Sequence, residues 1–195
     1  MRSLGLVVRL QIQLKPLKTG EEPRRVYDPA AIRSVDRLWM RPEGLLADAP
    51  GGGFLLDVHH AAHPHTRNRE GGNGISFGSL AACAEVRNRF HAGLWDGIAG
   101  ESVLLDGPRP EAESLLGGVL VRKASGFEWR LHDVIPAPPC APFAKFAMGK
   151  PEGPVDALEQ KEALRFLSHG RRGFYARFRG DDPVLLEPGD EFFAL

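Results

Sequence analysis

The sequence predicts a mainly β fold of the α+β class: a closed or nearly closed β-barrel with a few helices packed outside it. Short apolar segments bounded by turn residues recur along the chain, whereas only two segments have helical periodicity. The 23 glycines and 16 prolines are dispersed, which suits many short strands joined by turns and argues against a helical bundle. A length of 195 residues with 43% hydrophobic residues is enough for one full core, so we expect a single domain over residues 1–195.

The strand predictions rest on alternation and on the turns between apolar segments. Residues 6–14 alternate apolar and polar side chains from Val8 onward, which is the period of a half-buried strand. Residues 118–122 and 127–131 flank a turn at Gly126 and are predicted to pair. Shorter strands are predicted at residues 36–40, 53–58, 102–106 and 173–178, and within residues 184–195, where Pro188-Gly189-Asp190 interrupts them.

Two segments have the apolar periodicity of helices. Residues 79–90 carry apolar side chains at helical spacing, opposite a charged face. Cys83 lies on the apolar face, so we expect it to be a core residue. Residues 156–169 form the second predicted helix, and Gly170 suits the left-handed position that follows a helix.

Charge and cysteine content narrow the function classes. The 25 basic and 25 acidic residues give no overall field, so we expect neither a nucleic acid nor a membrane surface as partner. Two cysteines make no disulfide framework, and the first residues lack the pattern of a signal peptide. We therefore expect two free thiols and a cytoplasmic location.

Four of the seven histidines lie within residues 59–65. Imidazole is a common metal ligand, and a metal-dependent hydrolase using His59, His60 and His63 is one function that this cluster offers. His59 and His63 have the spacing of successive helical turns, but Pro64 disfavours a helix and the His-Glu-x-x-His motif is absent. The alternative is a set of loop histidines that are hydrogen-bonded and partly buried.

The next segment combines arginines, asparagines and glycines. Arg67, Asn68 and Arg69 precede the run Gly71-Gly72-Asn73-Gly74. Arginine forks bind phosphates and carboxylates, and glycines allow backbone N–H groups to approach an anion. The spacing matches neither the phosphate-binding loop nor the dinucleotide fingerprint, so a solvated basic loop is the alternative. A cofactor-free module that binds a small anion is the second function that the sequence offers.

Residues 96–101 read Asp-Gly-Ile-Ala-Gly-Glu, with two glycines spaced for a tight turn before a strand. Taken alone, this segment is interpreted as a turn that precedes a buried strand.

Cys140 lies in the proline-rich segment 135–142, which has four prolines in seven residues. Prolines fix φ, remove backbone donors and prevent a helix, so we expect the thiol on a stiff, extended loop. A thiolate is a nucleophile and a soft metal ligand that suits molybdenum, copper(I) or zinc. No basic residue follows before Lys145, so any activation must come from residues distant in sequence. The residues alone leave open whether Cys140 is reactive or an inert loop cysteine.

Taken together, these segments resemble the MOSC family, named after the C-terminal domain of molybdenum cofactor sulfurase. The resemblance runs from about Val7 to Leu195 and depends on the order of its pieces. These pieces are the His59-His60 segment with the glycines after it, residues 96–104, Pro139-Cys140, and residues 171–177 with 188–190.

The resemblance implies a barrel-like β fold and a role around molybdenum cofactor (molybdopterin). By position the family cysteine falls on Cys140, which would ligate molybdenum or carry a persulfide. Some members reduce N-hydroxylated compounds. No pyridoxal-phosphate domain of the kind associated with the family is present in this sequence, so we expect a separate sulfur-donating or electron-donating protein beside the small-molecule cofactor or substrate. The residues expected to bind the cofactor are His59, His60, Arg67, Asn68, Asn73 and Arg172.

Overall fold

The long first strand, β1 (Arg2–Gln13), joins the two edges of the main sheet in the computed structural model, which describes residues 1–22, 24–70 and 72–195. Its first half pairs antiparallel with the last strand, β14 (Glu191–Ala194), and its middle pairs with β9 (Val103–Leu105) along the opposite edge. The other barrel strands are β8 (Ile75–Ser79), β10 (Val119–Arg122), β11 (Glu128–Pro136) and β12 (Phe174–Phe178). The order β14-β10-β11-β12-β8-β9-β1 closes a seven-stranded barrel, and the fold prediction is confirmed.

Shorter strands extend this barrel. The second half of β1 pairs with β4 (Ile32–Val35), on the same edge that its first half offers to β14. A separate antiparallel sheet has the order β13-β5-β6-β7. The bounds of the remaining strands are Lys18–Thr19 (β2), Val26–Tyr27 (β3), Leu38–Arg41 (β5), Gly44–Asp48 (β6), Phe54–Leu56 (β7) and Val184–Leu186 (β13).

The alternation along β12 shows how the barrel separates its core from the site. Phe174, Ala176 and Phe178 are buried in the main apolar cluster. Tyr175 and Arg177, at the alternate positions, are half-buried on the opposite face. A strand of this pattern fills the barrel with one face and presents polar groups outside with the other.

Three helices lie outside the barrel: α1 (Leu80–Arg89), α2 (Ala141–Ala147) and α3 (Ala157–Phe166). A second apolar cluster holds them together and includes Val86 of α1, Phe143 of α2 and Ala163 of α3. No helix in the part of the chain that the structure describes has both the length and the apolar character needed to cross a bilayer.

The helices differ from the sequence predictions at the end of α3 and in the presence of α2. The helix α3 ends at Phe166 instead of residue 169, because the Ser168 hydroxyl donates to the Arg165 carbonyl and the chain turns there. Gly170 uses its left-handed backbone, φ 79°, within this turn and not directly after the helix. The proline-rich segment was expected to exclude a helix, yet α2 begins directly after Cys140. Pro142 lies in its first turn, where the missing N–H removes no helical hydrogen bond.

At the start of β1, close contact between two backbone segments positions β1 for its pairing with β14, which closes the barrel. The pairing of β1 with β14 shifts register between Ser3 and Gly5, and Gly5 has a φ of 114°. A side chain on Gly107 would overlap the carbonyl oxygen of Leu4. The barrel therefore closes only because two glycines allow the backbone of residue 107 to lie against β1.

We expect Gly107→Ala to lower the free energy of unfolding by at least about 2 kcal/mol, because backbone atoms cannot move aside as side chains can. Urea denaturation followed by circular dichroism measures this change. Gly153→Ala is the matched control, since the nearest atom to its new methyl group would be 3.9 Å away, in ordinary contact. Equal stabilities of the two variants would show that the contact does not constrain closure.

Candidate functional site

A cavity of about 220 Å³ lies outside the barrel, at the end of β1. Its walls come from segments far apart in sequence: the hairpin β2–β3, the histidine segment, the turn at residues 99–101 and the start of β12. The polar and aromatic side chains that line it include Lys18, Tyr27, His59, Arg67, Glu101, Arg172 and Tyr175.

Arg172 connects the cavity to the proline-rich segment. Its Nη1 donates to the Pro138 carbonyl at 2.9 Å and lies 3.6 Å from the Cys140 sulfur, while Nη2 donates to the Ala99 carbonyl at 3.1 Å. The guanidinium carbon lies 4.7 Å from the centre of the Phe143 ring, within cation–π distance. Burial opposes the charge of Arg172, but Cys140 and the neighbouring tyrosines hold its pKa above the usual value. The structure thus supplies the basic partner of Cys140 that the local sequence lacks.

The two thiols are in different environments. Cys140 precedes α2 with an extended backbone, is half-buried, and has the Arg172 guanidinium beside its sulfur. Burial raises the pKa of Cys83 on α1 to about 12, so Cys83 remains a neutral thiol. A nearby cation stabilises a thiolate, so Cys140 is the thiol suited to nucleophilic or metal-binding chemistry.

His59 and Asp57 form a hydrogen-bonded pair beside the cavity. The Asp57 carboxylate is fully buried and accepts from the backbone N–H of His59 at 2.9 Å and of Gln13 at 2.8 Å. The His59 Nδ1 lies 2.8 Å from Asp57 Oδ1. Because an ionised carboxylate only accepts, we assign the proton to Nδ1, which leaves Nε2 free to accept or exchange a proton.

The predicted cofactor-binding residues divide into two groups. His59, Arg67 and Arg172 line the cavity. Asn68 supports this wall from behind, since its Nδ2 donates to the His59 carbonyl and its Oδ1 accepts from the Asn73 backbone N–H. Asn73 is exposed and His60 is buried, and neither lines the cavity. Gly71, part of the predicted anion-binding run, lies outside the described residues.

The three histidines of the hydrolase hypothesis do not converge. His60 and His63 each use Nδ1 to accept a backbone N–H two residues ahead, and burial lowers the pKa of both. They behave as hydrogen-bonded loop histidines, whereas His59 faces the cavity. Among residues 1–22, 24–70 and 72–195, no group of three or more His, Cys, Asp or Glu side chains is placed to hold a metal ion.

Glu101 is the acidic group of the cavity. Its side chain is 4% exposed, and its Oε2 has no hydrogen-bond partner among the described residues. Burial raises the pKa of Glu101 from its usual value near 4.5 to about 7, against the opposing charge of Arg172. The carboxyl group therefore changes its charge near neutral pH.

Exposed cations and two aromatic rings complete the cavity. Lys18 and Arg67 are exposed, and neither forms an ion pair with an acidic side chain in the described part of the chain. The Tyr27 hydroxyl donates to the Ile98 carbonyl at 2.7 Å, which fixes its ring in the wall. Burial raises the pKa of Tyr175, so its hydroxyl stays protonated. The arrangement suits an anionic ligand with a flat part.

Sequence reasoning missed three of these groups. The predicted turn at residues 96–101 contains Glu101, the predicted strand at residues 53–58 contains Asp57, and no sequence pattern points to Lys18. One available signal was a carboxylate two residues before a run of three apolar residues, a position where an acid is costly if it is buried. The second was Asp57 two residues before a histidine, a spacing at which the two side chains can meet.

The comparisons with known proteins bear on the fold. No family model matches the chain, and no curated protein is significantly similar in sequence. The crystal structure of the YuaD protein from Bacillus subtilis is similar, with a TM-score of 0.52 over 96% of this chain and 97% of that one. The two sequences are 16% identical, so this similarity supports the fold and not a shared activity.

Alkylation with iodoacetamide at pH 8 should modify Cys140 at least ten times faster than Cys83, because the reagent attacks thiolates and burial keeps Cys83 protonated. Peptide mass spectrometry of timed samples measures both rates in the same molecule, so Cys83 is an internal control. Equal rates, or faster modification of Cys83, would show that burial does not keep the Cys83 thiol protonated.

We expect Glu101→Gln to stabilise the protein at pH 8 and to leave its stability unchanged at pH 4. The raised pKa means that the folded state favours the protonated acid. The associated stability is present below about pH 4.5 and is lost as the pH rises through about 7. This rise in the pKa corresponds to about 3 kcal/mol of folding stability that the wild type loses at high pH. The neutral glutamine would recover that stability at pH 8.

Urea denaturation at the two pH values measures the difference between variant and wild type. The control is Glu162→Gln, at an exposed position on α3. It should change the free energy of unfolding by less than about 0.5 kcal/mol at either pH. A stability difference that is the same at both pH values would show that folding does not raise the pKa of Glu101.

Proposed function

We propose that this chain is a MOSC-like protein that binds molybdenum cofactor or carries sulfur for it, with Cys140 as molybdenum ligand or persulfide carrier. The observation that carries the proposal is the contact between the Cys140 sulfur and Arg172, a buried cation that also lines the cavity. A cysteine sulfur beside a cation suits both a soft metal and a sulfur atom in transfer. The location that we propose is the cytoplasm, where thiols stay reduced.

The side chains present are compatible with such a cofactor. A metal that arrives inside an organic cofactor needs few protein ligands, and Cys140 would supply one. Cys140 does not itself line the cavity but contacts Arg172, which does. Lys18 and Arg67 are exposed cations that line the cavity, where an anionic phosphate group of the cofactor would bind. When bound, the cofactor would supply a redox-active metal, and reduction of N-hydroxylated compounds is the activity that we include in the proposal.

The Asp57–His59 pair would handle protons at this site. Asp57 holds Nδ1 of His59 protonated, so Nε2 accepts a proton from a bound group or returns one to it. Tyr175 lies near this ring, with 6.0 Å between the two ring centres. Sulfur transfer and reduction both require proton movement, so the pair serves either version of the proposal.

A cofactor-free module that binds a small anion is the second candidate function. The unpaired Lys18 and Arg67 favour it as much as they favour the first. The two functions differ at Cys140, which an anion-binding module does not need. The positions of His60 and His63 do not support the histidine-metal hydrolase, because each uses Nδ1 to accept a backbone N–H and neither lines the cavity with His59.

Cys140→Ser should lower the molybdenum content or the cyanide-labile sulfur of protein purified under gentle, anaerobic conditions. We expect at least a tenfold loss of whichever of the two the wild type carries, because serine is neither a soft ligand nor able to hold a persulfide. Elemental analysis by mass spectrometry measures molybdenum, and cold cyanolysis measures the transferable sulfur.

Cys83→Ser is the matched control, since it removes the other thiol and should leave both quantities unchanged. A Cys140→Ser protein with the molybdenum and sulfur of the wild type would refute the role of Cys140. Wild-type protein that carries neither would favour the anion-binding module.

A further inference from the structure

The side chain of Glu101 occupies a space that two glycines leave open. A methyl group on Gly78 or on Gly173 would lie 3.0 Å from the Cγ of Glu101, closer than ordinary contact. The backbone of both neighbours thus packs directly on this side chain. The fold accommodates a buried carboxyl group here, although an acid without a partner is costly in such a position.

Arg172, the cation whose charge acts on Glu101, forms its hydrogen bonds with other groups. Two nitrogens of Arg172 bind the carbonyls of Pro138 and Ala99, and one of them also contacts the Cys140 sulfur. Arg172 forms no ion pair with Glu101 within 4.0 Å, and its Nε has no hydrogen-bond partner in the described part of the chain. A buried acceptor on Glu101 and a buried donor on Arg172 therefore remain unsatisfied, and both residues line the same cavity.

We propose that Glu101 is the recognition group for a planar heterocycle that has N–H donors on one edge and an anionic substituent on another. The carboxylate would accept the N–H donors, a charge-assisted arrangement stronger than a neutral hydrogen bond. Lys18 and Arg67 would hold the anion at the opening, and the rings of Tyr27 and Tyr175 would border the plane of the ligand. This inference concerns ligand recognition and does not depend on what Cys140 carries.

The test uses two probes with N–H donors and an acid group, pterin-6-carboxylate and orotate, at pH 8. Each is compared with an acid of similar size that has no N–H donor, 2-naphthoate for the first and benzoate for the second. Isothermal titration calorimetry measures the four dissociation constants for the wild type, Glu101→Gln and Glu162→Gln. Glu101→Gln is expected to fold, because glutamine keeps the shape of the side chain without the cost of a buried charge.

We expect at least one donor probe to bind the wild type ten times more tightly than its matched acid. Glu101→Gln should remove this preference and leave the affinity for the matched acid unchanged, while Glu162→Gln should behave as the wild type. A general disturbance of the cavity would instead weaken all four compounds equally and would count against the proposal.

The proposal is overturned if neither donor probe binds, if the matched acids bind as tightly, or if Glu101→Gln keeps the preference. Repeating the titration with Cys140→Ser separates this result from the proposed function. Retained donor preference in that variant supports recognition by Glu101 even if no molybdenum or sulfur is ever found on the protein.

Discussion

The buried guanidinium of Arg172 is the interaction on which the site depends. It lies at the start of β12, next to Gly173, whose carbonyl accepts the backbone N–H of Ala137 at 2.9 Å. Together these contacts hold the proline-rich segment against the barrel. The hydrogen bond to Ala99 adds the turn that carries Glu101. One cation thus fixes the positions of a thiol, an acid and a cavity wall.

The barrel determines where this cation can lie. Alternation along β12 directs Phe174 and Ala176 into the core, so Tyr175 lies on the outer face. Pairing of β12 with β8 then places Gly78 near the turn that ends at Glu101. Closure of the barrel through β1 brings the hairpin β2–β3 over the same face. The site is a product of strand order and does not exist within any single segment.

The parts of the fold that were predictable from sequence have local patterns. Alternation identified β1, and helical periodicity identified α1 within one residue at each end. The helix α2 was missed because prolines were taken to exclude a helix throughout, although the first turn tolerates them. The pairing of β1 with β14 joins the two ends of the chain, so no local pattern could indicate it.

The residues of the site likewise divide into those that a local sequence pattern indicates and those that depend on distant segments. Cys140, Arg67 and His59 were identified by residue type and by the resemblance, because their chemistry can be read from the sequence. Residue type alone does not distinguish Glu101 from other acids, since its importance comes from burial against Gly78 and Gly173 on other segments. An acid in a turn is ordinary when exposed and costly when buried without a partner.

That cost is informative about function. A protein that needed only a stable barrel would gain from an uncharged side chain at position 101, because the cost of burying the carboxylate outweighs the opposing charge of Arg172, and Oε2 has no hydrogen-bond partner among the described residues. The same holds for the unsatisfied nitrogen of Arg172. Both groups line the same cavity, and Arg172 also contacts the sulfur of Cys140, the thiol suited to nucleophilic or metal-binding chemistry. A ligand that satisfies the acid and the guanidinium would recover the free energy that their burial costs, and binding would then be coupled to the stability of the site itself.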